Sequence, residues 1–137
     1  MADLIVTAAN VVAGTNATVE HGIAGATITA GQTVYRDSTT KRYLLADADS
    51  VTPAARAGLG IALNGAANGQ PLAIVTGGNV NPGATVAVGA IYVQSDTPGG
   101  IMPSVDLETG DFVTILGIGT TASNIAVGIT VSGVAVP

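Results

Sequence analysis

Short apolar runs punctuated by Gly, Pro, Asn and Asp set the pattern of this chain, and no long stretch sustains a helical period. The runs at residues 11–13, 17–23, 33–36, 41–45, 59–63, 70–76, 85–88, 90–94, 112–118 and 125–131 read as strands. Residues 4–7 are strand-like but interrupted at 8–10, and 27–29 is a short piece. Turn signals recur about every 8–12 residues, the spacing of a sandwich or barrel. Asp37-Ser38-Thr39-Thr40 joins 33–36 to 41–45 as a hairpin, because Asp and Ser hydrogen-bond their own backbone. Asn64-Gly65, Asn68-Gly69, Asn81-Pro82-Gly83 and residues 96–100 supply further turns. Residues 52–58 carry the one helical signal, with Thr52 as cap, Pro53 in the first turn and Gly58 as the stop.

The pattern comes twice. GATITAGQTVYRDSTTK at 25–41 is answered by GATVAVGAIYVQSDTPG at 83–99, an offset of 58 positions (25 to 83). Gly25 matches Gly83, Thr27 matches Thr85, Gly31 matches Gly89 and Thr39 matches Thr97. Leu59-Gly60-Ile61 returns as Leu116-Gly117-Ile118, an offset of 57. Each copy is too small to bury its own apolar face, so the two are expected to share a core. Tyr35 and Tyr92 are expected at equivalent places, to within a one-residue slip. The helical signal has no expected counterpart, since residues 102–111, with Pro103, Asp106, Glu108 and Gly110, read as loop and turn. The expectation is an all-β fold: a small barrel or sandwich built from two related β units, with one short helix near residues 52–58. Residues 1–15 form an N-terminal arm or edge strand, and residues 16–137 form a single β domain with pseudo-repeats at about 25–76 and 83–133.

Composition narrows the function. Charged residues make up 9% of the chain, against about 25% in an ordinary domain. The apolar residues are mostly small or β-branched, which suits a pleated sheet. Four bases against nine acids leave a net charge of −5. All four bases, Arg36, Lys41, Arg42 and Arg56, fall in one segment, too few to track a phosphate backbone, so no nucleic-acid partner is expected. No cysteine is present, so there is no disulfide or thiolate chemistry. The opening residues lack the basic region of a signal peptide. No run of apolar residues is long enough to cross a membrane as a helix, so no membrane partner is expected. Residues 57–95 and 112–137 carry no charge at all, which implies surface covered by other subunits.

No constellation of residues carries a reaction. His21 is the only histidine and stands in no motif. Ser132-Gly133 lacks the glycine that a nucleophile elbow needs before its serine. Gly117 to Ala122 matches a dinucleotide-binding pattern, but a strand follows where the pyrophosphate would need a helix N-terminus. Asp47 and Asp49 form one acidic loop, and Asp106, Glu108 and Asp111 form a second. Neither completes a calcium loop. No catalytic, cofactor-binding or metal-binding residue is expected, and no cofactor. A hydrolase built on His21 is the enzymatic alternative.

Three stretches, AGATITAGQTVYRDSTTKRYLLADADS, RAGLGIALNGAANGQPLAIVTGG and PGATVAVGAIYVQSDTPGGI, together with their surroundings over about residues 24–133, resemble the small capsid decoration, or cement, proteins of tailed bacteriophages. The resemblance implies a non-enzymatic protein that binds the outside of the assembled head and bridges neighbouring major capsid subunits. It also implies self-association, commonly as trimers and sometimes as dimers. The chain would then be made in the host bacterial cytoplasm and end on the virion exterior. Its interface candidates are Leu4, Ile5, Val6, Val11 and Val12 in a capsid-gripping arm, with Phe112 and Ile115 in the charge-free C-terminal stretch. Another virion component, such as a tail or fibre domain, is the alternative.

Overall fold

The computed structural model describes residues 3–137. After a 3-10 turn at Ala8–Asn10, the strands are β1 (Val11–Ala13), β2 (Thr18–Ile23), β3 (Thr33–Arg36) and β4 (Tyr43–Leu45). A 3-10 turn at Pro53–Arg56 precedes β5 (Gly60–Ala62), β6 (Pro71–Pro82), β7 (Ile91–Gln94) and β8 (Ile101–Pro103). A third 3-10 turn, Ser104–Asp106, leads to β9 (Phe112–Gly119) and β10 (Ile125–Ala135). All of these strands pair antiparallel in one curled sheet of order β4-β3-β5-β6-β10-β9-β7-β8, with β1 and β2 also on β6.

β6 is the spine. Val75 pairs with Val19 of β2 and with Ile61 of β5, so those two strands take opposite edges of β6. Gly77 pairs with Thr18 and with Gly128 of β10, so β10 carries on along the edge that β5 leaves. The first half then curls back on itself. Ala24, just past β2, bridges Tyr43 of β4, and the Gly25 N–H donates to the Tyr43 carbonyl at 2.8 Å. The enclosed core holds Ile28, Val34, Tyr43, Leu72 and Ile74. A larger core, with Val80, Tyr92, Ile101, Leu116 and Ile125, fills the second half and reaches Ile61 and Val75 of the first.

β3 to β6 correspond strand for strand with β7 to β10. β3 and β4 map onto β7 and β8 at the offset of 58 (33 to 91, 43 to 101). Thr33 pairs with Ile61 and Val34 with Gly60; Ile91 pairs with Ile118 and Tyr92 with Gly117. The recurring Leu-Gly-Ile has a steric cause. A Cβ on Gly60 would collide with the Val75 carbonyl oxygen, and one on Gly117 with the Ala126 carbonyl oxygen. Gly31 and Gly89 both take positive φ, 89° and 82°, which a side chain would resist. Their N–H groups donate to the equivalent carbonyls of Ala62 and Gly119.

Several expectations are corrected. Tyr92 aligns with Val34, and Tyr35 with Val93, the expected one-residue slip, but the two places are not equivalent. One residue turns a strand side chain to the other face. Tyr35 accordingly packs with Ala46 and Ala55, and Tyr92 enters the large core. The 52–58 signal does have a counterpart: Ser104–Asp106 follows β8 as Pro53–Arg56 follows β4. A three-residue 3-10 turn shows no periodicity, so nothing betrayed it. Thr52 makes no side-chain cap bond. Residues 4–7 and 85–88 join no ladder, and 27–29 shrinks to the bridge Ile28–Ala66. β6 runs past its expected end at 76: a register shift between Val75 and Gly77 opposite β2 lets the strand continue, and Gly78 follows at φ 79°.

Candidate interaction surfaces

The N-terminal segment is laid along its own domain. The Leu4 N–H donates to the Ile101 carbonyl at 2.7 Å, and the Thr7 N–H to the Gly83 carbonyl at 2.8 Å. β1 then pairs with the last residues of β6. Alternation divides the five candidate residues there. Leu4 packs on the large core, while Val6 and Val11 crowd Gly31. Ile5 is 90% exposed and Val12 59% exposed, so these two face outward. Met1 and Ala2, also part of the expected arm, lie outside the described residues.

Phe112 and Ile115 are half-buried on β9. The Arg56 guanidinium lies 4.1 Å from the Phe112 ring centroid, a cation–π contact that covers one face. Pro53, Arg56, Phe112, Val131 and Gly133 line a shallow hollow beside it. The outward surface of this region belongs instead to β10. That strand pairs with β6 only through Ile125 to Gly128, while its contact with β9 continues to Ala135. From 129 to 135 its far edge has no partner strand among the described residues. Val131 is 47% and Val134 64% exposed there. Free edges are usually blunted by Lys or Pro. This one carries neither, only a bulge at Gly133, φ 69°.

The halves are clamped together where their turns meet. Gln94, fully buried on β7, accepts from the Gly58 N–H at 2.8 Å and donates to the Arg56 carbonyl at 2.7 Å. The Thr114 hydroxyl donates to that same carbonyl at 2.8 Å. Backbone bonds from Ala48 N–H to the Ser95 carbonyl, and from Phe112 N–H to the Ala48 carbonyl, extend the junction.

Acids crowd this junction. The two expected acidic loops converge, and the 95–100 turn adds a third member. One carboxylate oxygen each from Asp49, Asp96 and Asp111 lie within 4.8 Å of one another. Three carboxylates suit a hard cation only when further oxygens complete six to eight ligands. Asp111 is buried, with Oδ2 accepting from the Glu108 N–H at 2.9 Å. Burial, then the charges of Asp111, Asp49, Glu108 and Asp3, push the Asp96 carboxyl up. Burial and Asp49 push Asp47 up to about 6. Asp96 gave no signal in the sequence beyond that of a turn residue, because only the closure of the two halves brings it here.

His21 is exposed on β2. It lines an open hollow of about 330 Å³ with Glu20, Gly22, Arg36, Lys41 and Tyr43. Burial, followed by the Glu20 charge, raises the Tyr43 hydroxyl. Gly117 to Gly119 end β9, and β10 follows at Ile125, so no helix N-terminus faces the dinucleotide-like pattern. Among the described residues no helix is long and apolar enough to cross a membrane. The chain matches no known protein-family model. It has no significant match among curated proteins.

Proposed function

We propose that this chain is a non-enzymatic decoration protein of a tailed-phage head, binding the outer surface of the assembled shell and bridging neighbouring major capsid subunits. The observation that carries the reading is the uncharged, unpartnered edge of β10 from 129 to 135, with Val131 and Val134 outward. Such an edge can accept an extended segment of another protein through main-chain hydrogen bonds. The outward Ile5 and Val12 offer a second contact point on the same chain. One modest contact repeated over a whole shell gives large total stabilisation through effective concentration. The resemblance of residues 24–133 to cement proteins points the same way.

The test is imaging of heads assembled with and without the chain. Added density on the outer surface, straddling capsid subunits, is the expected result. Particles that exclude the chain, or that carry it only in the tail, would overturn the reading.

A further inference from the structure

Side-chain charge is sorted into two places. Arg36, Lys41 and Arg42 at the β3–β4 hairpin tip stand with Glu20 and Asp37, which leaves that corner at +1. Seven acids and Arg56 leave the remainder at −6, and the two make the chain's −5. The corner's acids are engaged within it. Asp37 Oδ1 accepts from the Thr39 and Thr40 N–H groups at 2.7 and 3.1 Å. Glu20 lines the hollow beside Tyr43, and its charge raises the Tyr43 hydroxyl. The corner's arginines bond only neutral oxygens: Arg36 Nε donates to the Lys41 carbonyl at 3.5 Å, and Arg42 Nη1 to Asn68 Oδ1 at 3.0 Å. Arg36, Lys41, Arg42 and His21 are all exposed; Arg36, Lys41 and His21 line the hollow between β2 and the hairpin, while Arg42 reaches from the hairpin toward Asn68.

The acidic end lies beyond the other end of the same hairpin. Asp49 and Glu108 are exposed there, with Asp96 and Asp111 behind them. The cation at this end, Arg56, is occupied by the Phe112 ring and by the Ser50 carbonyl, to which its Nε donates at 2.7 Å. The hairpin ladder, from Arg36–Tyr43 to Val34–Leu45, and the segment up to Asp49 separate the two ends. The two rises from Tyr43 to Leu45 span roughly 7 Å at about 3.4 Å per residue, and the four residues on to Asp49 lead further from the basic corner. Within one copy the arginines of the corner bond neutral oxygens and not these acids, whereas a second copy can bring the two ends together.

We propose that the chain associates head to tail, the Arg36–Lys41–Arg42 corner of one copy seating against Asp49 and Glu108 of the next. A contact between unlike surfaces builds a ring when its rotation closes and an open chain when it does not. The proposal stands on charge placement and holds whether or not the chain binds a shell.

Light scattering on the purified full chain tests it without any capsid. The mass should exceed the monomer's at ~20 mM salt and fall to it at ~0.5 M. Two charge-reversed variants, Arg36→Glu/Arg42→Glu and Asp49→Lys/Glu108→Lys, should each be monomeric at low salt while melting cooperatively. Their equimolar mixture should regain association, because each supplies the surface that the other has lost. If either pair fails to fold, Gln in place of the arginines and Asn and Gln in place of the acids should still lower the low-salt mass. A monomer at every salt concentration overturns the proposal. So does association unchanged by the reversals, or a folded mixture that stays monomeric.

Discussion

Gly77 and Gly128 lie directly opposite each other where β6 meets β10. They also hold matching places in the two halves. Ile74 and Val75 pair with Ala62 and Ile61 as Ile125 and Ala126 pair with Gly119 and Ile118, an offset of 51 along the long strands (74 to 125). The same offset carries Gly77 to Gly128. The halves thus touch through their own equivalent positions, and each glycine leaves room for a Cβ. A Cβ on Gly77 would come no nearer than 3.7 Å to Thr18, and one on Gly128 would meet nothing within 4 Å.

This separates two kinds of glycine. Gly60→Ala and Gly117→Ala should each cost about 2–4 kcal/mol, because the added methyl meets a strand carbonyl that cannot withdraw. Gly128→Ala should fall within about 0.5 kcal/mol of the parent. Urea unfolding of the three variants measures the difference.

Gln94→Leu should destabilise by about 2–3 kcal/mol, since it leaves the buried Gly58 N–H without an acceptor. Thermal melts compared with those of Thr114→Val provide the check. The Thr114 substitution removes only one of the two donors to the Arg56 carbonyl and should cost less.

Asp47 titrates at about 6 in the fold against 3.8 as a free group, so the folded state holds its proton more tightly. Stability is therefore lowest above about pH 6 and rises as pH falls from there toward 4. The Asp96 carboxyl, also raised, adds in the same direction. Solvent screening at these partly open groups reduces the effect to on the order of 1 kcal/mol. The melting temperature should be higher near pH 5 than near pH 7.5, and Asp47→Asn should flatten that slope. A slope of the opposite sign would remove the account of the acidic junction.

Ile5→Asp and Val12→Asp should leave the melting temperature nearly unchanged, because both side chains point outward. On the proposed function they should weaken shell occupancy about tenfold, or ~1.4 kcal/mol. Leu4→Asp should instead destabilise the domain itself, since Leu4 packs on the large core. Co-sedimentation with heads, alongside melts, distinguishes the two effects.

Local chemistry made much of this fold legible. β3 falls on the short run at 33–36 that read as a strand, and the Asp37 turn closes as its side chain dictates. The recurrence of Leu-Gly-Ile marked the duplication, and the structure shows at Gly60 and Gly117 a close approach of neighbouring strands. What stayed hidden depends on distant partners. Residues 85–88 look like a strand, yet Val86 is held by its N–H bond to the Ala122 carbonyl and finds no ladder. Asp49, Asp96 and Asp111 come together from three loops that no spacing relates. Leu4, Ile5 and Val6 read as one apolar patch, and only docking on Ile101 and Gly31 shows which of them face in.

β1 and β2 pair with β6 and, among the described residues, with no other strand. β6 must therefore be synthesised before β1 and β2 can find their ladder, and until then those strands are bare. Long-range pairing of this kind folds slowly and leaves sticky intermediates. The abundance of glycine turns and the lack of long apolar runs then act during biogenesis, keeping the waiting segment too interrupted to aggregate before residue 82 arrives.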